Sequence, residues 1–303
     1  MQKRQLKVSN SSLRNDSVLN VHWDEIVIGN PSCFHKLPNH DDVKFWSEYC
    51  SQRKVKLIVE IPVVFQKHMK ALFRMVEAFI VENNVSSFII NDLGTLFEFY
   101  ERGYTNTTKI ILGQLLNFGY SSSPWSEKII EDEEELIKRI SQENNLEADY
   151  MSELLAVYNV NVIEVNPYLL NEKQIKFFRE KNIGLNGVMN GQLVAIGRSC
   201  HAVRLYDSEV GNCQSLCNRP LEMDMIYKWE RYDDMLNRIG IKGREVIPKF
   251  HLIGNSVWLK KSVQQLNIGY VKELDTISFD LRLQDSKEVI KNYHYLNLTE
   301  VTN

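Results

Sequence analysis

The chain has 303 residues, 44% of them hydrophobic and 25% charged, a balance that supports a sizeable soluble core. A formal net charge of -3 excludes a strongly basic surface, so nucleic acid is not the expected partner. No run of about 18 apolar residues is present, which excludes a membrane-spanning helix, and the polar N-terminus lacks the apolar stretch of a secretion signal, so the expected compartment is the cytoplasm.

In chain order, residues 1–20 are polar and read as a loosely packed N-terminal extension. A single domain is expected over 21–303. "HWDEIVIGN" (22–30) and "KLIVEIP" (56–62) read as buried strands, with Cys50 on a helix between them. "VFQKHMKALFRMVEAFIVENN" (64–84) has helical spacing of apolar residues. "SSFIINDLG" (86–94) is a strand, "TLFEFYERGY" (95–104) a helix and "TKIILGQLLN" (108–117) a strand. An amphipathic helix is expected at 126–145, with its acidic run "EDEEE" as a solvated face, and another at 148–159. A strand follows at 160–167 and a helix at 171–182. Residues 183–196 read as a strand with a kink or turn at Gly191, while 249–261 and 267–275 read as late strands and 275–295 as a last helix. Apolar strands alternating with helices predict a parallel sheet, and the count favours a (β/α)8 TIM-like barrel, complete or else incomplete or irregular, with a cysteine-bearing loop at the C-terminal face of the strands.

Five cysteines occur, and three of them, Cys200, Cys213 and Cys217, fall in one turn-rich segment as Cys-x12-Cys-x3-Cys. Cys33 follows the first expected strand in "GNPSC". Segments that follow barrel strands gather at one face, so Cys33 could meet the later three. Four thiolates there would suit an iron–sulfur cluster or zinc, while scattered structural cysteine is the plain alternative. Spacing alone does not choose among these.

The same residues resemble the collagenase-like peptidase U-32 family, and within it the UbiV branch, the smaller iron–sulfur member of an oxygen-independent ubiquinone hydroxylation pair. The resemblance rests on Cys33 in its G-x-x-x-C context, the spacing of Cys200, Cys213 and Cys217, Asp92-Leu93-Gly94, Gly113 to Asn117, and Gly191 with Leu193. Gln114 stands where that branch has a histidine, and "CQSLCN" carries one cysteine fewer before its final ligand. The resemblance implies a 4Fe-4S cluster on Cys33, Cys200, Cys213 and Cys217. It also implies a heterodimer with a sister U-32 protein, a small-molecule substrate, and prephenate as oxygen donor.

His35 and His201 flank two of these cysteines and could serve the cluster or a substrate, or be ordinary loop histidines. Asp92 and Asn117 could face a pocket, and capping explains Asp92 equally well. Arg198, Arg204 and Arg219 surround the cysteine loop and could bind a carboxylate or offset a thiolate-bound cluster. HExxH, GxSxG, a P-loop and GxGxxG are all absent. No nucleophile and base pair supports hydrolysis. A non-catalytic, metal-stabilised binding subunit is therefore the alternative to a hydroxylase component, and a peptidase the third reading.

Overall fold

The computed structural model describes residues 2–9, 16–117, 119, 122–124, 126, 133–189, 191–197, 199–201, 203, 213, 220–223, 237 and 249–301. Seven strands run in order around a barrel: β1 (Lys3–Val8), β2 (Glu25–Gly29), β3 (Lys56–Ile61), β4 (Ser87–Ile90), β5 (Lys109–Leu112), β6 (Val162–Val165) and β7 (Gly184–Val188). After them come β8 (Gly191–Ile196), β9 (Leu221–Met223), β10 (Phe250–Ile253), β11 (Ser256–Lys260) and β12 (Thr276–Asp280). β12 is the eighth barrel strand and closes the cylinder against β1, in parallel register from Lys3 opposite Thr276 to Lys7 opposite Asp280. The fold is a (β/α)8 barrel.

Helices cover the outside of the barrel. They are α1 (His40–Arg53), α2 (Gln66–Asn83), α3 (Leu93–Glu101), α4 (Glu135–Gln142), α5 (Asp149–Val157), α6 (Glu172–Glu180), α7 (Ile268–Lys272) and α8 (Ser286–Val301). α1 starts where Asn39 accepts a hydrogen bond from the Asp42 N–H at 2.8 Å and the Asp42 carboxylate accepts one from the Asn39 N–H, a reciprocal cap. α2 buries Met69, Leu72, Phe73, Val76 and Phe79 on one stripe, against the outer faces of the strands. Inside the cylinder, Val27, Ile58, Ile89 and Ile111 form a separate apolar layer, because alternate strand residues point inward.

β8, β11, β10 and β9 form a four-stranded antiparallel sheet of their own. It is inserted between the seventh and eighth barrel strands and roofs the C-terminal mouth. Leu193, Ile253 and Trp258 from the roof pack on Leu115, which follows β5, and Leu283, which follows β12.

Several expectations are corrected. The polar lead-in expected over 1–20 contains β1, whose side chains Gln5 and Lys7 are buried and paired inside the barrel. Residues 183–196 are two strands, and the break expected at Gly191 is a change of sheet: β7 ends at Val188 in the barrel and β8 starts at Gly191 in the roof. Residues 249–261 form a hairpin, since Gly254 and Asn255 make a two-residue turn between paired Ile253 and Ser256. The segment 267–275 is helical over α7, started by Asn267 capping the Gly269 N–H at 3.0 Å. The segment 275–295 begins with the strand β12, where the polar Ser278 and Asp280 face inward and are hydrogen-bonded.

Gly29 ends β2 with φ at 117°, and a Cβ there would lie 2.3 Å from the Glu60 carbonyl oxygen. No L-residue fits without moving β3. Gly29→Ala is expected to cost at least about 2 kcal/mol of stability in denaturant unfolding; an unchanged midpoint would refute this packing.

Candidate functional site

The mouth of the barrel is floored by charge. Lys7 lies near the end of β1, with its ammonium 3.1 Å from Glu60 at the end of β3 and 2.5 Å from Glu164 at the end of β6. The Arg282 guanidinium, just beyond β12, pairs with Glu60 and makes a two-pronged contact to Asp280, Nε to Oδ1 at 2.7 Å and Nη2 to Oδ2 at 2.6 Å. All five side chains are buried. The Gln114 backbone N–H donates to Glu164 Oε2 at 3.3 Å, extending the chain to the segment after β5.

Three carboxylates share two cations, and this sets the protonation. Burial alone would raise the Glu60 pKa, but Arg282 and Lys7 outweigh it and hold Glu60 down at about 2. Burial raises Glu164, and the neighbouring Glu60 charge adds to that, overcoming Lys7. Burial would lower Lys7, yet Glu164 and Glu60 leave its pKa raised. Glu60 thus stabilises the fold above the ordinary carboxylate range, a contribution lost as pH falls toward about 2. Glu164 works in the opposite sense: its share is full below the carboxylate range and fades as pH rises through its elevated folded pKa.

Beside this floor, between the roof and the loops after β1, β2 and β12, lies a cavity of about 590 Å³. It is the size of a small-molecule site. Asn30 and Lys36, which bracket Cys33, line it. Pro220 and Glu222, which follow the Cys213–Cys217 stretch, line it from the roof side, with His251. Arg282 and Gln284 line it from the eighth-strand loop.

The Cys33 and Cys200 segments meet at the roof hairpin. Ser32 Oγ donates to the Ile253 carbonyl at 2.7 Å, and the Ser32 carbonyl accepts from the Asn255 N–H at 3.4 Å. On the other side of the same turn, the His201 N–H donates to the Gly254 carbonyl at 2.8 Å. Gly254 has φ at 57°, and a Cβ on it would lie 2.3 Å from the Ser32 carbonyl oxygen, so the close approach requires glycine. Cys200 itself follows a roof strand rather than a barrel strand, which corrects the geometry expected from the sequence.

Cys33 is buried, and Cys200 and Cys213 are half-buried thiols. Cys217, Arg198, Arg204 and Arg219 lie outside the described residues. Among the described residues no three His, Cys, Asp or Glu side chains stand together as a metal-holding group. The described thiols therefore do not complete a cluster site by themselves. Next to Cys200, the Ser199 hydroxyl is buried without a hydrogen-bond partner among the described residues, a donor available to a sulfur.

His35 is exposed, 6.5 Å from the His68 ring. Asp92 caps α3, accepting from the Thr95 N–H at 2.9 Å and the Thr95 hydroxyl at 2.7 Å. Asn117 donates to the Glu164 carbonyl at 2.6 Å and accepts from Asn144, so it ties loops together. Cys50 is buried on α1, and burial pushes its thiol up to about 12. Sequence reasoning missed Lys7, Glu60, Glu164, Arg282, His251 and Gln284. The signal was a lone glutamate one residue before the end of an apolar strand, as in "KLIVEI" and "VIEV".

Neither a protein-family model nor a curated protein matches the chain. Among solved structures it is similar to the U32 peptidase Mk0906, at 13% identity and TM-score 0.44 over 92% of each chain. It is also similar to the putative copper homeostasis protein CutC from Streptococcus agalactiae, at 10% identity and TM-score 0.42 over 94% of this chain and 100% of that one. A third is the 7,8-dihydropteroate synthase from Vibrio fischeri, at 11% and 0.41, over 98% and 94%. At such identity none of these proteins transfers an activity to this chain. No helix among the described residues is long and apolar enough to cross a membrane.

Two outcomes are expected. Glu60→Gln removes the carboxylate that Arg282 and Lys7 share and should cost about 3–5 kcal/mol in urea unfolding, whereas Glu164→Gln removes the surplus carboxylate and should cost distinctly less. Equal costs would contradict the charge assignment. In the folded protein at pH 8, Cys50 should resist iodoacetamide in peptide mass spectrometry and react only after unfolding.

Proposed function

We propose that the protein is an iron–sulfur (β/α)8 barrel of the U-32 type that handles a small molecule at its mouth. On this reading Cys33, Cys200, Cys213 and Cys217 hold a 4Fe-4S cluster, and the chain is a component of an oxygen-independent hydroxylation. The UbiV-like role, a sister U-32 partner and prephenate as oxygen donor belong to the same proposal and rest on the sequence resemblance.

One observation supports it most. Segments remote in sequence, around Cys33 and just after Cys217, line a single cavity, and the Cys200 segment is tied to the Cys33 loop through the Gly254 turn. A bound cluster would supply one-electron chemistry at the cavity edge. The chain's own residues do the rest. The roof covers the mouth, and the Arg282–Glu60–Lys7–Glu164 chain fixes the strand ends that shape it.

A second reading keeps the metal but makes it structural, a zinc that pins the inserted roof to the Cys33 loop for a partner to dock on. It draws on the same junction at Ser32 and Gly254.

Anaerobic purification tests both. The expected product is brown, with about four iron and four sulfide per chain, and bleaches with dithionite. Serine at any of the four cysteines should strip the iron, while Cys50→Ser should keep it. Colourless protein with one zinc would replace the first reading with the second.

A further inference from the structure

The end of the barrel opposite the mouth carries an arc of lysines short of counter-charge. Val27, Ile58, Ile89 and Ile111 form the apolar layer inside the cylinder. Side chains two residues earlier on the same strands point the same way. They are Glu25 on β2, Lys56 on β3, Ser87 on β4 and Lys109 on β5, at the N-terminal ends of four successive strands. Glu25 stands opposite Lys56 in the strand register, and Ser87 opposite Lys109. Lys3 joins them from β1, two residues before the inward Gln5.

The carboxylate within this arc is already engaged. Glu25 is buried, and its Oε1 accepts from the Lys3 ammonium at 2.9 Å while its Oε2 accepts from the Gln5 amide at 2.8 Å. Asp275, across the rim, is held by Arg179 and by the Leu185 N–H. Among the described residues no carboxylate or hydrogen-bond acceptor pairs with the ammonium of Lys56 or Lys109, and both side chains are half-buried. Burial, then Lys109 and Lys3, lower the Lys56 pKa against the pull of Glu25. Burial and Lys3 lower Lys109 against Glu25 and Asp275. Lys7, at the other end of the barrel, is the contrast: it is fully buried and touches two carboxylates.

The spacing suits one small anion. β3 and β5 flank β4, so Lys56 and Lys109 leave the backbone about 10 Å apart and lean toward the same axis. Lys3 and Glu25 cancel each other, which leaves the two other ammonium charges to be met. A carboxylate monoanion meets one of them. We propose that this arc binds a small tetrahedral dianion, inorganic phosphate or the phosphoryl end of a phosphate monoester, between the Lys56 and Lys109 ammonium groups. The bound anion cancels their repulsion and ties β3 to β5. The site is at the far end of the barrel from the cysteine-bearing roof, so it stands or falls independently of the cluster.

Isothermal titration of the full chain in phosphate-free buffer tests this, with sodium phosphate, sodium sulfate, glycerol 3-phosphate and sodium acetate as probes. Phosphate and sulfate should bind with Kd below about 1 mM, and acetate at least about tenfold more weakly. Glycerol 3-phosphate binding like phosphate extends the site to esters, and phosphate without it narrows the site to the free ion. Lys56→Met and Lys109→Met should each weaken phosphate binding by at least about tenfold, while Lys260→Met, at the mouth, binds like the parent. Without phosphate, the thermal midpoint of the first two variants should equal or exceed the parent's, because each loses an unpaired half-buried cation. Phosphate should raise the midpoint of the parent and leave theirs unmoved. No phosphate binding, acetate binding as tightly, Lys56→Met and Lys109→Met binding like the parent, or loss of binding in Lys260→Met would overturn the assignment.

Discussion

A chain of ion pairs sealed inside the barrel sets the terms for everything at its mouth. Arg282 holds Asp280 and Glu60, Glu60 holds Lys7, and Lys7 holds Glu164. These residues sit on or just after the first, third, sixth and eighth barrel strands, so the chain crosses the cylinder and fixes strand ends relative to one another. Burying ions is expensive unless each is paired, and here pairing is what makes a polar interior tolerable. The cost is concentrated where function on this fold is ordinarily built.

The roof depends on that floor. Leu283 follows Arg282 directly and packs on the roof residues Leu193, Ile253 and Trp258. Ser32 then fastens the roof hairpin from the other side, through Ile253 and the Ser256 hydroxyl at 3.1 Å. The cavity is the space left between these two anchorages, which is why its walls come from three barrel loops and three roof strands.

The apolar parts of this architecture could be read from the sequence. β2, β3, β4, β5 and β6 lie where runs of Val, Ile and Leu place them, and α2 lies where its apolar stripe does. What escaped was polar and buried. β1 reads as surface chain because Gln5 and Lys7 contribute its inward side chains, and their partners Glu25 and Glu60 are remote in sequence. β12 was hidden in the same way by Ser278 and Asp280. The inserted sheet was misread because period-two patterning reports a strand without saying which sheet it joins. At the site, the expectation that the Cys33 and Cys200 segments meet rested on barrel strands, whereas the structure ties both segments to one roof hairpin. His251 and Gln284 carry no local signature. Their significance comes from being buried beside a cavity, a property of the folded chain.

The parallel pairing of β1 with β12 has a consequence for biogenesis. β1 finds one of its two neighbours only after every residue between Val8 and Thr276 has been translated. Until then the nascent polypeptide carries an open seam, with Lys7 still lacking the Arg282 and Asp280 end of its ion chain. Closure waits on this long-range pairing, and the interval before it is when holdase chaperones would matter most to this protein.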